Sequence, residues 1–202
     1  MSKYLLGILL VMAGSVYGQD TTSWLAEIEQ FQKEQNAHYT NKKTSPLSRK
    51  ERKKFEGHRF YPIDLSYRVT ARFERIVEED TVIMQTSSGR EKYYRPFAYV
   101  HFKLNGQACQ LTVYQSYLLR ETKEYKDYLF IPFRDETSGK TSYGGGRYLD
   151  VLIPEGNSIL LNFNLAYNPY CAYTTGYNCT IPPAENTLKV AVKAGLMAPP
   201  TH

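Results

Sequence analysis

Asn105-Gly106 stands between two runs of alternating apolar residues, AYVHFKL and QACQLTVY. Both residue types tolerate the positive φ of the two-residue turn that matches the twist of paired strands. The dipeptide therefore predicts an antiparallel hairpin and sets its register. Leu104 faces Gln107, Phe102 faces Cys109, Val100 faces Leu111, and Ala98 faces Val113. One face of this hairpin is apolar, so it must lie against a core.

Other segments share the strand pattern. Tyr67 to Arg75 places Tyr67, Val69, Ala71 and Phe73 on one side, and Val82 to Gln85 answers it after an acidic turn at Glu78 to Asp80. Leu129 to Phe133, Tyr148 to Ile153, Ile159 to Phe163 and Leu188 to Val192 supply the remaining apolar runs, with Pro154-Glu155-Gly156-Asn157 as a turn. No helical crossovers separate these runs. The expected fold is mainly β, a single antiparallel β-sandwich or barrel-like domain over residues 58–202. Ahead of it, Ser23 caps an N-terminal helix within 19–40, with Trp24, Leu25, Ile28 and Phe31 as its apolar stripe.

Residues 41–57 form a connector with one short helical turn. Between Lys42 and Arg59 there are eight basic residues against Glu51 and Glu56, a local net of 8 − 2 = +6. A stretch of this kind can meet anionic partners, but its aromatics are few, and it reads as a solvated connector with no nucleic-acid role.

The first 18 residues read as a signal peptide: Lys3 gives the positive start, Tyr4 to Met12 the apolar stretch, and cleavage follows Gly18. That apolar run is far shorter than the roughly 20 residues that cross a bilayer. The expected location is periplasmic or secreted, with no transmembrane segment in the mature chain. Three cysteines cannot all pair within one chain. Cys109 lies on the apolar hairpin face and reads as a small buried hydrophobe, which leaves Cys171 and Cys179 to form a disulfide in an oxidising compartment.

Polar residues concentrate in LFIPFRDETSGKTSYGGGRYLD, residues 129–150. Its Gly139-Lys140-Thr141 echoes a phosphate loop, but Arg134 occupies the place of the first glycine. Tyr143, Gly144, Gly145, Gly146 and Arg147 are the better candidate. Consecutive glycines can point several backbone N–H groups into one concavity, and a guanidinium can clamp an anion. The same residues could instead form a tight loop, with Arg147 paired to Asp135 or Asp150. Asp135 and Asp150 are the candidate catalytic carboxylates of a hydrolase, with Tyr143 or Arg147 stabilising charge. No histidine falls in the stretch, and neither a metal site nor a cofactor is expected. A second cluster combines Asn162, Asn164 and Asn168 with Tyr167, Tyr170, Tyr173 and Tyr177, residues suited to stacking and hydrogen bonding or to plain sheet packing.

Several motifs together resemble a known family. These are SPL at Ser45 to Leu47, FEGHRFYPID at Phe55 to Asp64, the 129–150 run, NFNLAYNPYCAY, and the closing PPAEN-to-AG segment. They are similar to the bacterial proteins grouped as domain of unknown function 1684. The resemblance implies one domain and a shared pattern at Asp135, Thr137, Gly139, Tyr143, Gly145, Gly146, Arg147, Asp150, Asn164, Asn168, Cys171 and Cys179, without a mechanism. Thr180, Leu196 and Gln35-Asn36 depart from that pattern, so no acidic role is carried over there.

The leading expectation is an exported binding module for a small anionic or polar ligand, held by Tyr143, Gly144, Gly145, Gly146, Arg147, Asn164 and Asn168. The alternatives are the hydrolase and a structural or partner-binding protein of the envelope.

Overall fold

The computed structural model describes residues 16–77 and 80–200. Most of the signal segment, Glu78 and Glu79 of the acidic turn, and terminal His202 lie outside the described residues. Helix α1 (Val16–Thr40) and the short α2 (Arg49–Lys54) precede strands β1 (Arg68–Arg75), β2 (Val82–Met84), β3 (Lys92–Leu104) and β4 (Gln107–Ser116). A short α3 (Tyr117–Arg120) then leads to β5 (Tyr128–Phe133), β6 (Arg147–Leu152) and β7 (Ser158–Asn162). The seven strands make one antiparallel sheet in the order β6-β5-β4-β3-β1-β7, with β2 pairing β3. The sheet curls into a half-barrel.

The turn at Asn105-Gly106 takes the positive φ values it requires, 50° and 79°. It pairs Leu104 with Gln107, Phe102 with Cys109, Val100 with Leu111 and Ala98 with Val113. Cys109 departs from expectation: at the hairpin end it is only half-buried. Because side chains alternate along each strand, the sheet has two apolar faces. One carries Val100, Leu111, Val113, Ile131 and Leu149 into the main core. The other carries Met84, Tyr94, Tyr114, Phe130 and Tyr148.

Leu188 to Val192 is not a strand. The segment keeps a strand's alternation, burying Leu188, Val190, Val192, Ala194 and Leu196 while Lys189 and Lys193 face solvent. Its backbone partners, however, come from a loop and from side chains instead of a ladder. Leu188 N–H donates to Arg134 O at 2.8 Å, and Arg134 N–H to Asn186 O at 2.9 Å. Beyond that point Arg147 takes over. Its Nη1 donates to Ala194 O and Leu196 O, and its Nη2 donates to Val192 O at 2.8 Å.

Nη2 also meets Asp135 Oδ2 at 3.3 Å, with both side chains essentially inaccessible (1% and 0%). Val192 N–H donates to the same Oδ2 at 2.6 Å, and the Thr137 and Ser138 hydroxyls complete the carboxylate. A buried charge is tolerated only when paired and hydrogen-bonded in this way. Burial pushes the guanidinium pKa down and Asp135 opposes it, but an arginine stays protonated. Segment 188–197 is thus a strap, fastened along its middle by an ion pair and at its end by single backbone bonds, Leu196 N–H to Ala166 O and Met197 N–H to Arg59 O, both at 2.9 Å.

A second cluster seats the N-terminal elements. Ser48 and Glu51 form a capping box on α2, and the basic side chains of that helix are not buried. Ile28 and Tyr39 of α1 are buried, while Leu25 of the expected stripe is exposed. His58 lies among Tyr39, Phe55 and Tyr173, with ring centroids 4.3, 4.9 and 5.0 Å away. Its backbone N–H donates to Asn36 Oδ1 at 2.7 Å and its Nδ1 contacts the Tyr173 hydroxyl at 2.9 Å. Nε2 is buried without a partner at hydrogen-bonding geometry. Cys171 and Cys179 are bridged, as expected, and close the loop that carries Tyr173.

Arg147→Met and Asp135→Asn should each cost about 3–5 kcal/mol, because each leaves a partner charge buried and alone. Urea unfolding measures the loss, and hydrogen exchange should rise across residues 188–197. Losses below about 1 kcal/mol with unchanged strap exchange would refute the fastener.

Burial lowers the His58 pKa from 6.5 to about 4, opposed by the nearby Gln35 carbonyl. The unfolded chain therefore binds this proton first as pH falls. Stability should be fully present above about pH 6.5 and decline toward pH 4 by on the order of 3 kcal/mol. In His58→Phe that part of the slope should vanish. An unaltered slope in urea melts at pH 4.5 and 7 would assign it to other groups.

Candidate functional site

The glycine run turns out to be packing geometry. Gly146 has φ +90°, and a Cβ there would meet Phe133 O at 2.7 Å and the Pro182 ring at 2.5 Å. At Gly145 a Cβ would strike the Tyr143 ring at 2.3 Å. Gly146 N–H donates to Tyr143 O, which closes a turn, and the Tyr143 hydroxyl donates to Cys171 O at 3.4 Å. The stretch from Gly144 to Gly146 lets β6 begin directly beneath the strap.

The anion cradle is accordingly corrected. All four terminal N–H hydrogens of Arg147 are committed to Asp135 and to strap carbonyls, and the remaining Nε–H is buried in the core, so no donor of the side chain faces a site an anion could enter. Asn164 is also structural: it is buried, donates to Asp64 O at 2.9 Å, and accepts from Asp64 N–H at 3.1 Å. Asp135 is saturated by its four partners. As a catalytic base it would have to give up the contacts that hold the strap.

Asp150 is placed differently. On β6, Arg147 and Leu149 point to the core, whereas Tyr148 and Asp150 point to the opposite face. The carboxylates expected to cooperate are therefore separated by the sheet, and the proposed hydrolase set of Asp135, Asp150, Tyr143 and Arg147 does not assemble.

Strand pairing builds a new site around Asp150. It sits directly across from Phe130, and Tyr128 lies two pairs along on the same face, opposite Leu152. Diagonal neighbours of this kind are within reach of a long side chain. The Tyr128 hydroxyl donates to Asp150 Oδ1 at 2.7 Å. On the other edge of β6, Tyr167 pairs with Tyr148 through reciprocal backbone bonds of 2.8 and 3.0 Å. The Tyr167 hydroxyl lies 2.9 Å from both Asp150 oxygens. One carboxylate is thus held by two tyrosines from the two flanking segments.

This arrangement forms the floor of a cleft of about 610 Å3, within the usual range for small-molecule sites. The outer sheet face gives Tyr94, Phe130 and Tyr148. Helix α1 gives Phe31 and His38, and the bridged loop gives Tyr170 and Tyr177. Ring contacts run Tyr94 to Phe130 at 5.7 Å, Phe130 to Tyr148 at 4.8 Å and Tyr148 to Tyr167 at 5.7 Å. His38 Nε2 contacts the Tyr170 hydroxyl at 3.1 Å at the rim. Asn168 lines the wall, with its Nδ2 donating to Tyr173 and to Met197 O.

Asp150 is accessible through the cleft mouth, yet most of its surroundings are protein. That crowding raises its pKa above the ordinary carboxylate value, and the two hydroxyl bonds pull the other way. Burial and the adjacent carboxylate hold the Tyr128 and Tyr167 hydroxyls far above the usual phenol pKa, so both remain donors. Among the described residues, no Lys, Arg or His forms an ion pair with Asp150.

Sequence reading found Asp150, Tyr167, Tyr170, Tyr177 and Asn168 but assigned them to separate clusters. It missed Tyr94, Tyr128, Phe130 and Tyr148 as site residues. The available signal was alternation: Tyr128, Phe130, Tyr148 and Asp150 all occupy the positions opposite the core-facing leucines and isoleucine of β5 and β6. Other clefts exist, including one of about 550 Å3 beside α2, but none of their carboxylates is held from two sides by tyrosine hydroxyls.

Similar proteins match nearly the whole chain. An uncharacterized protein of Haloarcula marismortui, known from a solution NMR structure, is 33% identical, with a TM-score of 0.68. The match covers 89% of this chain and 96% of the archaeal one. No curated protein matches. The family model described as "Protein of unknown function (DUF1684)" matches residues 53–197. With that span and that relative, the chain belongs to the DUF1684 family.

Proposed function

We propose that this protein is an exported binding module, and that its small polar ligand sits in the tyrosine-lined cleft over β5 and β6. The observation that carries the reading is Asp150: a carboxylate oriented by two tyrosine hydroxyls, open to the cleft and unmatched by any described cation. A carboxylate that is reached by solvent yet walled by aromatic carbon gives up part of its hydration, at a modest cost. A ligand donor that reached it would recover part of that cost. Aromatic walls with a few convergent polar groups are the usual make-up of a small-molecule site.

The Cys171–Cys179 bridge supports export, because such bonds persist mainly in oxidising compartments. The apolar segment at Tyr4 to Met12 supports it independently.

A thermal-shift screen of metabolites and glycans tests the binding reading. A ligand at about 100 times its Kd stabilises by about 2.7 kcal/mol, which for a chain of this size raises Tm by roughly 8 °C. Asp150→Asn should abolish that shift while its unfolding remains cooperative. Hits that survive Asp150→Asn unchanged, or a screen with none, would overturn the assignment. Fractionation with N-terminal mass analysis tests export: mature protein beginning at Gln19 is expected outside the cytoplasm, and an uncleaved cytoplasmic chain would refute it.

A further inference from the structure

The charge balance of the cleft narrows the chemistry of its ligand. A carboxylate offers about four lone-pair positions. Among the described residues, only two protein hydrogens serve those of Asp150. The Tyr128 hydroxyl takes Oδ1, and the single Tyr167 hydrogen is shared between Oδ1 and Oδ2. The remaining positions, chiefly on Oδ2, belong to an atom group that solvent reaches through the cleft.

Neighbouring charges do not neutralise it. Lys92 and His38 border the cleft, but among the described residues neither forms an ion pair with Asp150. His38 instead contacts Tyr170. The rest of the cleft lining is mostly tyrosine hydroxyls and aromatic carbon, with neutral polar side chains at Gln35, Asn168, Asn178 and Thr180. In such a medium an anion would be repelled, and a neutral hydroxyl would leave the charge uncompensated. A cation gains twice, from the carboxylate and from aromatic rings, whose faces attract positive charge.

Resting on the reading of the cleft as a binding site, we infer that its ligand is an organic cation. A primary ammonium group anchors on the open oxygen positions of Asp150, and its carbon body packs against Tyr94, Phe130 and Tyr148. Of the small anionic or polar ligand expected near Arg147, this drops the anion, because the guanidinium is consumed inside the core while the accessible charge is negative.

NMR titration of the full folded chain at pH 7 and matched ionic strength tests the inference with three probes of one shape: n-butylammonium, 1-butanol and butyrate. Resonances of Tyr94, Tyr148 and Asp150 should respond to n-butylammonium with an affinity at least tenfold above that of 1-butanol, and butyrate should leave them unmoved. Asp150→Asn keeps the shape and removes the charge, so it should weaken n-butylammonium at least tenfold, or about 1.4 kcal/mol. Tyr167→Phe removes one hydroxyl and leaves the carboxylate, so amine binding should persist within about threefold.

Equal affinity for amine and alcohol, or amine binding undiminished in Asp150→Asn, would overturn the cation. If Asp150→Asn does not fold, the comparison of probes on the unaltered chain decides alone. A neutral screening hit that depends on Asp150, with n-butylammonium silent, would end this inference while the binding site stands. Silence of every probe and of the wider screen would end both.

Discussion

The Asp135–Arg147 pair is the constraint around which the rest of the chain is arranged. Two charges removed from water need nearly every donor and acceptor satisfied, since a partner left alone costs more than the pair returns. In this protein most of the satisfaction comes from backbone, three strap carbonyls and one strap N–H, and the Thr137 and Ser138 hydroxyls supply the rest of the carboxylate's partners. The strap in turn has only isolated backbone bonds, chiefly at its end where Leu196 bridges Phe60, and from Val192 to Ala194 it depends on the pair. The glycines before Arg147 follow from the same geometry, because the chain must pass Phe133 O and Pro182 more closely than a Cβ permits.

The parity of one short strand then divides structure from binding. Arg147 and Asp150 are three residues apart on β6, an odd number, so they face opposite sides of the sheet. One side closes the core. The other presents a carboxylate to a cleft whose walls are aromatic. The pair can be fully desolvated because it needs no contact with solvent, and Asp150 can stay reachable because it holds no part of the fold together beyond two hydroxyl bonds.

Much of the fold was legible in the chain. The Asn105-Gly106 turn set its hairpin register, alternation placed seven of the strands, and exclusion of Cys109 left the bridge that forms. Leu188 to Val192 misled because alternation reports which side chains are buried, not where the backbone finds hydrogen bonds. Arg147 misled for a related reason. A guanidinium beside glycines has the same composition whether its donors meet a ligand or the chain's own carbonyls, and the loop reading that paired it with Asp135 was the one the fold adopts. Asp150 was recognised as a candidate, but its tyrosines were not, since Tyr128 and Tyr167 reach it across separate strand edges.

By itself the sequence determined the local rules: where the chain turns, which residues alternate, and that the composition is mainly β. These depend on neighbours a few residues apart or on the fixed period of a strand. Only the tertiary structure decided which charge is spent inside and which is left open. That choice depends on segments 188–197 and 166–168 arriving beside β6, and no local spacing encodes their arrival. The same strand carries both charges, and packing alone made one a fastener and the other the floor of a cleft.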